Sequence, residues 1–231
     1  MSIRKKLMKI AGKDDFELDS RITTSYIVRL SWKYGWMMVR GKTRTIGYSS
    51  IAHNIFIGSG VKLYCKNLMS IGSKTKIRDH VKIDALSMDG VRIGNNCVIG
   101  ENTKIECTGS LSHIGKGVVI GDNTTFGNDC YFGAAGGIEI GKDVVAGQYI
   151  RFHSENHNYS DLNKPIRDQG VTHKGIKIGD NCWIGAGVVF LDGAELGNGC
   201  VVGANAVVTK KFPDNSLIAG VPVKLIGSRE R

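Results

Sequence analysis

Proline is scarce in this chain, with 3 in 231 residues, and no serine-rich tract occurs, so little of it suits a flexible linker. No run of eighteen apolar residues exists, which excludes an apolar membrane-spanning helix. The opening MSIRKKLMKI lacks an apolar signal core ending in a small-residue cleavage site, and the expected location is cytoplasmic. Six cysteines are present without a single CxxC pair, so the usual zinc spacing is missing. Glycine, by contrast, is abundant, at 31 residues.

The glycines follow a rhythm of six. It is readable at Ile57 (IGSGVK), Ile93 (IGNNCV), Ile99 (IGENTK), Ile120 (IGDNTT), Ile140 (IGKDVV), Ile178 (IGDNCW) and Ile184 (IGAGVV). Each step has an aliphatic residue, usually a glycine, two turn formers and then a small residue. The phase recurs at 93, 99 and 105, at 114, 120, 126 and 132, at 140, 146 and 152, and from 178 to 208. This is the hexapeptide repeat of a parallel β-helix, in which three steps make one triangular coil. The aliphatic residue enters a narrow core, the small residue fills the space beside it, and glycine permits the corner. The expected class is therefore mainly β, as one elongated domain. Residues 1–45 form a basic amphipathic segment of helical or mixed character, 46–210 the β-helix, and 211–231 a short C-terminal cap.

Cys97, Cys130, Cys182 and Cys200 each stand four residues after an inward position, so they are expected to be buried thiols acting as small hydrophobes. Cys65 and Cys107 fall outside that phase and stay unassigned. The formal charge of +10 is concentrated, since residues 1–45 hold eleven Lys or Arg against four acids. No aromatic-interleaved basic platform accompanies it, so nucleic acid is not an expected partner. Two readings remain for Ser25–Arg40, where Arg29, Lys33 and Arg40 make a basic stripe beside a face of Trp32, Trp36, Met37 and Met38. One is a helix lying on an anionic leaflet; the other is a helix covering the end of the solenoid or a neighbouring subunit.

After Phe152 the hexads stop, resuming at Ile176 or Ile178. The intervening 153–175 is polar and holds three of the six histidines, His153, His157 and His173. Ordering its backbone costs roughly 1–2 kcal/mol per residue, and a regular repeat has no folding reason to extrude it. Loops on a rigid scaffold are where function concentrates.

The segment 156–161 (NHNYSD), the later 178–185 (IGDNCWIG), the tract 201–210 (VVGANAVVTK) and the ending 218–226 (IAGVPVKLI) carry a resemblance. Over about residues 90–226 the chain resembles the hexapeptide-repeat acyltransferases. Within them it is similar to the maltose, galactoside and nodulation-factor O-acetyltransferases and their polysaccharide O-acetyltransferase relatives. Residues 1–90 match only in the general repeat. The resemblance implies a left-handed β-helix, a homotrimer with sites at subunit interfaces, acetyl-CoA as donor and no metal. It implies His157 as general base, since an imidazole with pKa near ~6.5 takes the proton of an attacking sugar hydroxyl. Asn128, His153, Asp161 and Trp183 would face the acceptor, a sugar or glycan, with Glu155 and Asp161 as candidates to orient the imidazole. Gly185, Ala186, Gly203 and Ala204 would line the pantetheine, Ala186 offering an oxyanion amide. Thr209, Lys210 and Lys224 would stand near the nucleotide. Val223 and the Lys211–Phe212 pair depart from the family pattern, which blurs the phosphate contacts.

His53, His80, His113 and His173 are expected at the surface or at corners. The expected reaction is O-acetylation of a surface polysaccharide or its precursor. Alternatives are N-acetylation of an amino sugar and acetylation of a streptogramin- or chloramphenicol-type antibiotic. A zinc-dependent carbonic anhydrase of the same fold would need a third histidine in the coil phase, which the sequence lacks, and a purely structural β-helix leaves the polar loop unexplained.

Overall fold

The computed structural model describes residue 19, residues 21–48 and residues 50–229. Among them, short strands of two to five residues stack into three sheets, of nine, seven and seven strands, parallel except for the last strand of the first, that form the faces of a left-handed prism. The first face runs from Phe56–Ile57 through Trp183–Ile184 to Ser216–Ala219. The second runs from Lys62–Tyr64 through Arg151–His153 to Val207–Val208. The third runs from Met69–Ile71 to Lys211–Phe212. Strands stay short because the chain turns every sixth residue, and every second strand residue points inward.

The corners need a left-handed backbone, and Asn96, Asn102, Asn123, Asp129, Asp143, Asn181 and Asn205 supply it, with φ between 54° and 60°. Their short polar side chains tolerate that conformation and stack on one another from coil to coil: Asn102 Nδ2 donates to Asp129 Oδ1 at 3.1 Å and Asn123 Nδ2 to Asp143 Oδ1 at 2.9 Å.

The predicted inward positions from Ile93 to Ile105, Ile120 to Phe132, Ile140 to Phe152 and Ile178 to Val208 are buried. Ile114 is the exception. It is 45% exposed, because the chain leaves the stack after Cys107 and returns at Val118. The first and third faces are packed mainly with aliphatics. Behind the second face, Phe132, Phe152 and Phe190 stack with centroids 4.7 and 5.1 Å apart, and Phe126 meets Phe132 edge-on at 5.1 Å. Cys97, Cys130, Cys182 and Cys200 are buried and free, and Cys107 joins them in the core. Burial raises the thiols of Cys107 and Cys130 to about 12 and about 11.

Coil stacking does not stop at 210. Lys211–Phe212 and Ser216–Ala219 complete a further coil, and Lys224–Ser228 folds back antiparallel on the latter.

At the other end, helix Thr24–Arg44 starts at an N-cap where Thr23 accepts the Tyr26 N–H, and passes through Gly35 unbroken. Lys33 and Arg40 of its basic stripe turn to the β-helix, as does Arg44, while Arg29 stays exposed over the Tyr26 ring. Arg40 Nε donates to Ile57 O at 2.9 Å and an Arg44 guanidinium nitrogen to Val61 O at 2.9 Å, while Lys33 lies 2.9 Å from Asp79 and 3.3 Å from Glu101. Met37 is buried with Ile27, so the expected aromatic and Met face is split between the two sides of the helix. Gly41 is required by close approach, since a Cβ there would stand 2.0 Å from Ile55 O. Residues 1–18 and 20 of the basic segment lie outside the described residues. Among the described residues no helix is long and apolar enough to cross a membrane.

Candidate active site

The extruded loop begins where strand Arg151–His153 ends on the second face. Asn156–His157 then pairs antiparallel with Val171–Thr172, with His157 opposite Val171, which turns the loop into a short ribbon. Gln169 holds its centre. Its side chain accepts the Asp161 N–H at 3.0 Å and donates to Asp161 O at 2.7 Å and Lys164 O at 2.8 Å. Asp192, buried, fixes the return to the stack by accepting the N–H groups of both Lys174 and Gly175 at 2.8 Å.

Between the base of this loop and the excursion that follows Cys107 lies a cavity of about 310 Å³. Glu106, Tyr131, His153, Ser154, Glu155 and His157 line it, with Thr108 and Gly109 at its far wall. Successive strands deliver Glu106, Gly133 and His153 in register. Ser154 is buried, accepting the Gly136 N–H at 3.0 Å and donating to Gly133 O at 2.9 Å, which anchors the backbone between the two histidines.

The part of the wall beside His153 is charged and mutually satisfied. Lys82 Nζ donates to Glu106 Oε1 at 2.8 Å, and the Tyr131 hydroxyl donates to Glu106 Oε2 at 3.2 Å. The Lys82 hydrogen bond holds the Glu106 carboxyl below its usual range. Burial, with the Glu106 charge second, pushes the Tyr131 phenol up. The His153 ring lies 5.7 Å from the Tyr131 ring, and desolvation, with the Arg151 charge second, holds its imidazole below the usual value. Glu155 Oε2 lies 2.6 Å from His173 Nε2.

Of the residues singled out from the sequence, His153 and His157 come together in this cavity. Glu155 joins them and lies within hydrogen-bond distance of His173, which is exposed, as expected, and does not line the cavity. Asp161 faces its own loop, accepting the Asn163 N–H at 3.0 Å. Asn128 holds the coil beneath by accepting the Glu101 N–H at 3.0 Å, and it does not line the cavity. Trp183 is 60% exposed on the first face, in register between Val145 and Val201.

At the corner after that face, Gly127, Gly147, Gly185 and Gly203 follow one another up the stack, each bonded through its N–H to the coil above. A Cβ on Gly185 would come 2.5 Å from Ala204 N, and one on Gly203 2.9 Å from the Ala219 Cβ. Ala186 O accepts the Asn205 N–H at 2.9 Å. Thr209 and Lys210 border a second cavity of about 630 Å³ with Lys174 and Asp192. The Asp192 Oδ2 atom has no partner there among the described residues. Val223 N–H donates to Val207 O at 3.0 Å, which sets Lys224 beside the strand leading to Lys210.

Sequence reasoning missed Glu106, Tyr131, Lys82 and the excursion carrying Thr108. Their signal was present, since each is the outward residue of a hexad or interrupts the phase, but coil register was needed to place them beside His157. Among the described residues no three His, Cys, Asp or Glu side chains converge as a metal site.

Residues 175–210 match the family described as bacterial transferase hexapeptide (six repeats), and residues 87–108 and 117–148 match the hexapeptide repeat of succinyl-transferase. WbbJ of Escherichia coli K12, named for lipopolysaccharide biosynthesis O-acetyl transfer, is 31% identical over 144 residues, covering 59% of this chain and 74% of that protein. The galactoside O-acetyltransferase of Lactococcus lactis is 32% identical over 131 residues, 56% of this chain and 59% of that protein. A probable acetyltransferase of Mycobacterium tuberculosis is 33% identical over 149 residues, and the match spans half of its length. In fold, the chain is similar to the N-acyltransferase AntD of Bacillus cereus, solved in complex with dTDP and 3-hydroxybutyryl-CoA. The TM-score is 0.52 at 20% identity, covering 83% of this chain and 89% of that one. With the repeat, the prism and a relative matched over most of its length, the chain belongs to the hexapeptide-repeat acyltransferase family.

Proposed function

We propose that this chain is an acetyl-CoA-dependent O-acetyltransferase acting on a sugar of a surface polysaccharide or its precursor, with His157 as general base. The observation that carries this reading is the cavity in which His153 and His157 stand together, on a loop the hexad rhythm does not require. The hydroxyl oxygen attacks the thioester carbonyl while His157 takes its proton. The C–O bond forms, the C–S bond breaks, and the proton passes to the coenzyme sulfur. The Ala186 amide would face the developing oxyanion. Gly147, Gly185 and Gly203 let successive coils approach closely, since a Cβ on each would meet the next coil, and a pantetheine arm would lie along that stack. Thr209, Lys210 and Lys224 would meet the nucleotide. The relatives named for O-acetyl transfer support the reaction. Trimeric assembly, with sites between subunits, is supported by the exposed apolar column of Val145 and Trp183 on the first face.

The outer side of the helix Thr24–Arg44 supports peripheral contact with an anionic bilayer. Val28, Trp32, Trp36 and Val39 are all exposed there. At 100° per residue, Arg29 and Lys42 fall on opposite edges of that stripe.

The test is a panel of sugars and glycans incubated with the purified chain and acetyl-CoA, with release of free thiol as the readout. Transfer to at least one hydroxyl acceptor is expected, and thiol release only with amino sugars would replace this reading by N-acetylation. Changing Lys210 and Lys224 to Ala should raise the donor KM with a smaller effect on kcat; an unchanged KM in the double variant removes them from the nucleotide site. Loss of co-sedimentation with anionic vesicles in Trp32→Ala/Trp36→Ala tests the helix, and failure of the intact chain to co-sediment at low salt sinks that contact.

A further inference from the structure

The outward residues of the second face stack in two columns; one runs Tyr64, Asp84, Glu106, Gly133, His153, and the other, beginning at Lys62, repeats one sign of charge. Lys62 pairs in register with Lys82, Lys82 with Lys104, Lys104 with Tyr131, and Tyr131 with Arg151. Neighbouring strands lie about 4.8 Å apart, and like charges set directly opposite one another destabilise a sheet. Lys82 is relieved by Glu106. Among the described residues Lys62, Lys104 and Arg151 make no ion pair, and all three are exposed. The third face shows that the fold does not impose this. Its outward column reads Glu139, Lys177, Glu195, Lys211, alternating in sign, with Lys177 bonded to Glu139 and Lys211 to Glu195.

The unrelieved cations sit beside the candidate active site. Lys104 and Arg151 bracket the Tyr131 ring from the coils on either side, and each stands two residues before a residue that lines the cavity, Glu106 or His153. Side chains two apart on a strand share a face, so an acceptor whose reacting hydroxyl lies in the cavity would extend its next group over this column. Inside the cavity the charges are already matched, Glu106 by Lys82. The unpaired cations Lys104 and Arg151 stand outside it on either side of Tyr131, and Lys62 lies two strands beyond Lys104.

Building on the proposed acetyl transfer, we infer that the acceptor is an anionic sugar whose phosphate or carboxylate group is held by Lys104 and Arg151 while its hydroxyl faces His157. Lys62 continues the same cationic track for a longer acceptor. The Tyr131 ring between the two cations offers a flat apolar surface to the sugar. An exposed cationic column also draws an anionic ligand toward it before contact, an effect that weakens as salt rises.

The experiment titrates the full chain with four probes by calorimetry: acetyl-CoA, UDP-glucose as a diphosphate, a glucuronic-acid disaccharide as a carboxylate, and maltose as a neutral sugar. At least one anionic sugar should bind roughly tenfold tighter than maltose at low salt, and the advantage should fade as ionic strength rises. Which of the two binds distinguishes a phosphate from a carboxylate source. Lys104→Gln and Arg151→Gln should each weaken the anionic probe by about tenfold. Lys104→Arg should retain it, and Arg92→Gln, an exposed cation on the third face, should change nothing. Acetyl-CoA affinity should be unaltered in all of them. Equal affinity for the charged and neutral sugars, or an unaffected anionic probe in the Lys104→Gln/Arg151→Gln double variant, overturns the inference. Failure of the unaltered chain to bind acetyl-CoA would instead strike the proposed reaction, and the anion arms read independently of it.

Discussion

Outward side chains on the third face alternate in sign, with Glu139, Lys177, Glu195 and Lys211 stacked in register, whereas those on the second face repeat it at Lys62, Lys82 and Lys104. Both faces belong to one prism, with the same spacing and the same backbone ladder. The alternating column from Glu139 to Lys211 satisfies itself through its own ion pairs. The repeating column is left with free charge, and it is this face that carries Glu106, Tyr131 and His153 to the cavity and launches the loop with His157. The inner sides differ as well. Aliphatics such as Ile140 and Ile178 line the third face, while Phe132, Phe152 and Phe190 stack behind the second. A rigid aromatic column is a suitable backing for a site whose parts must keep their places.

The largest effect that would sharpen this contrast is chemical. His157→Ala should lower turnover by about 10²–10⁴ while acetyl-CoA affinity is retained, as expected for a positioned general base. Steady-state kinetics beside donor titration measures it, and near-normal turnover would move the chemistry off the second face.

Next comes the core behind the two faces. Phe152→Ala should cost about 3–5 kcal/mol in denaturant unfolding, and Ile178→Ala on the third face about 2–5 kcal/mol. Ring stacking adds about 0.5–1.5 kcal/mol beyond burial, so Phe152→Ala should be the worse of the two. If it costs less, the aromatic column gives the second face no special rigidity.

A smaller effect is the response to acid. His153 has its imidazole held below the ordinary value, with desolvation as the main cause. The unfolded chain therefore takes up that proton first, near pH ~6.5. Its contribution to stability is present above that pH and is lost as pH falls through the folded value. Melting temperatures between about pH 5 and 8 should show a slope that His153→Phe flattens. An unchanged slope would mean that the Tyr131–His153 contact does not desolvate the ring.

The smallest change is expected where the charges already alternate. Glu139→Gln should alter stability by less than about 1 kcal/mol, because its pairs with Lys116 and Lys177 are exposed. A larger loss would show that the third face depends on its ion pairs and would weaken the comparison.

Much of the scaffold was legible in the sequence, because each hexad decides locally which residue turns inward. That is why the buried positions from Ile93 to Val208 and the four small-site cysteines follow from the phase alone. The same locality explains Ile114, which repeats the motif but sits on an excursion where no coil lies beneath it to bury it. The loop 153–175 and its histidines were equally visible, as an interruption of a strict rhythm. Lys33 and Arg40 could not decide between the two readings of the helix, since a basic stripe looks the same whether it meets lipid or the Ile57 carbonyl and the acids Asp79 and Glu101.

The sequence by itself determined the period, the inward set, the breaks in the repeat and the presence of His157 on an extruded segment, all of which depend on neighbours within a few residues. Only the tertiary structure decided that Glu106, Tyr131 and His153 share a wall, that Glu155 answers His173, and that Lys62, Lys82 and Lys104 form one column. Those relations join residues about one coil apart in the chain, or more where insertions intervene. The register between coils is set by the lengths of those insertions and by the backbone ladder, which no single hexad encodes.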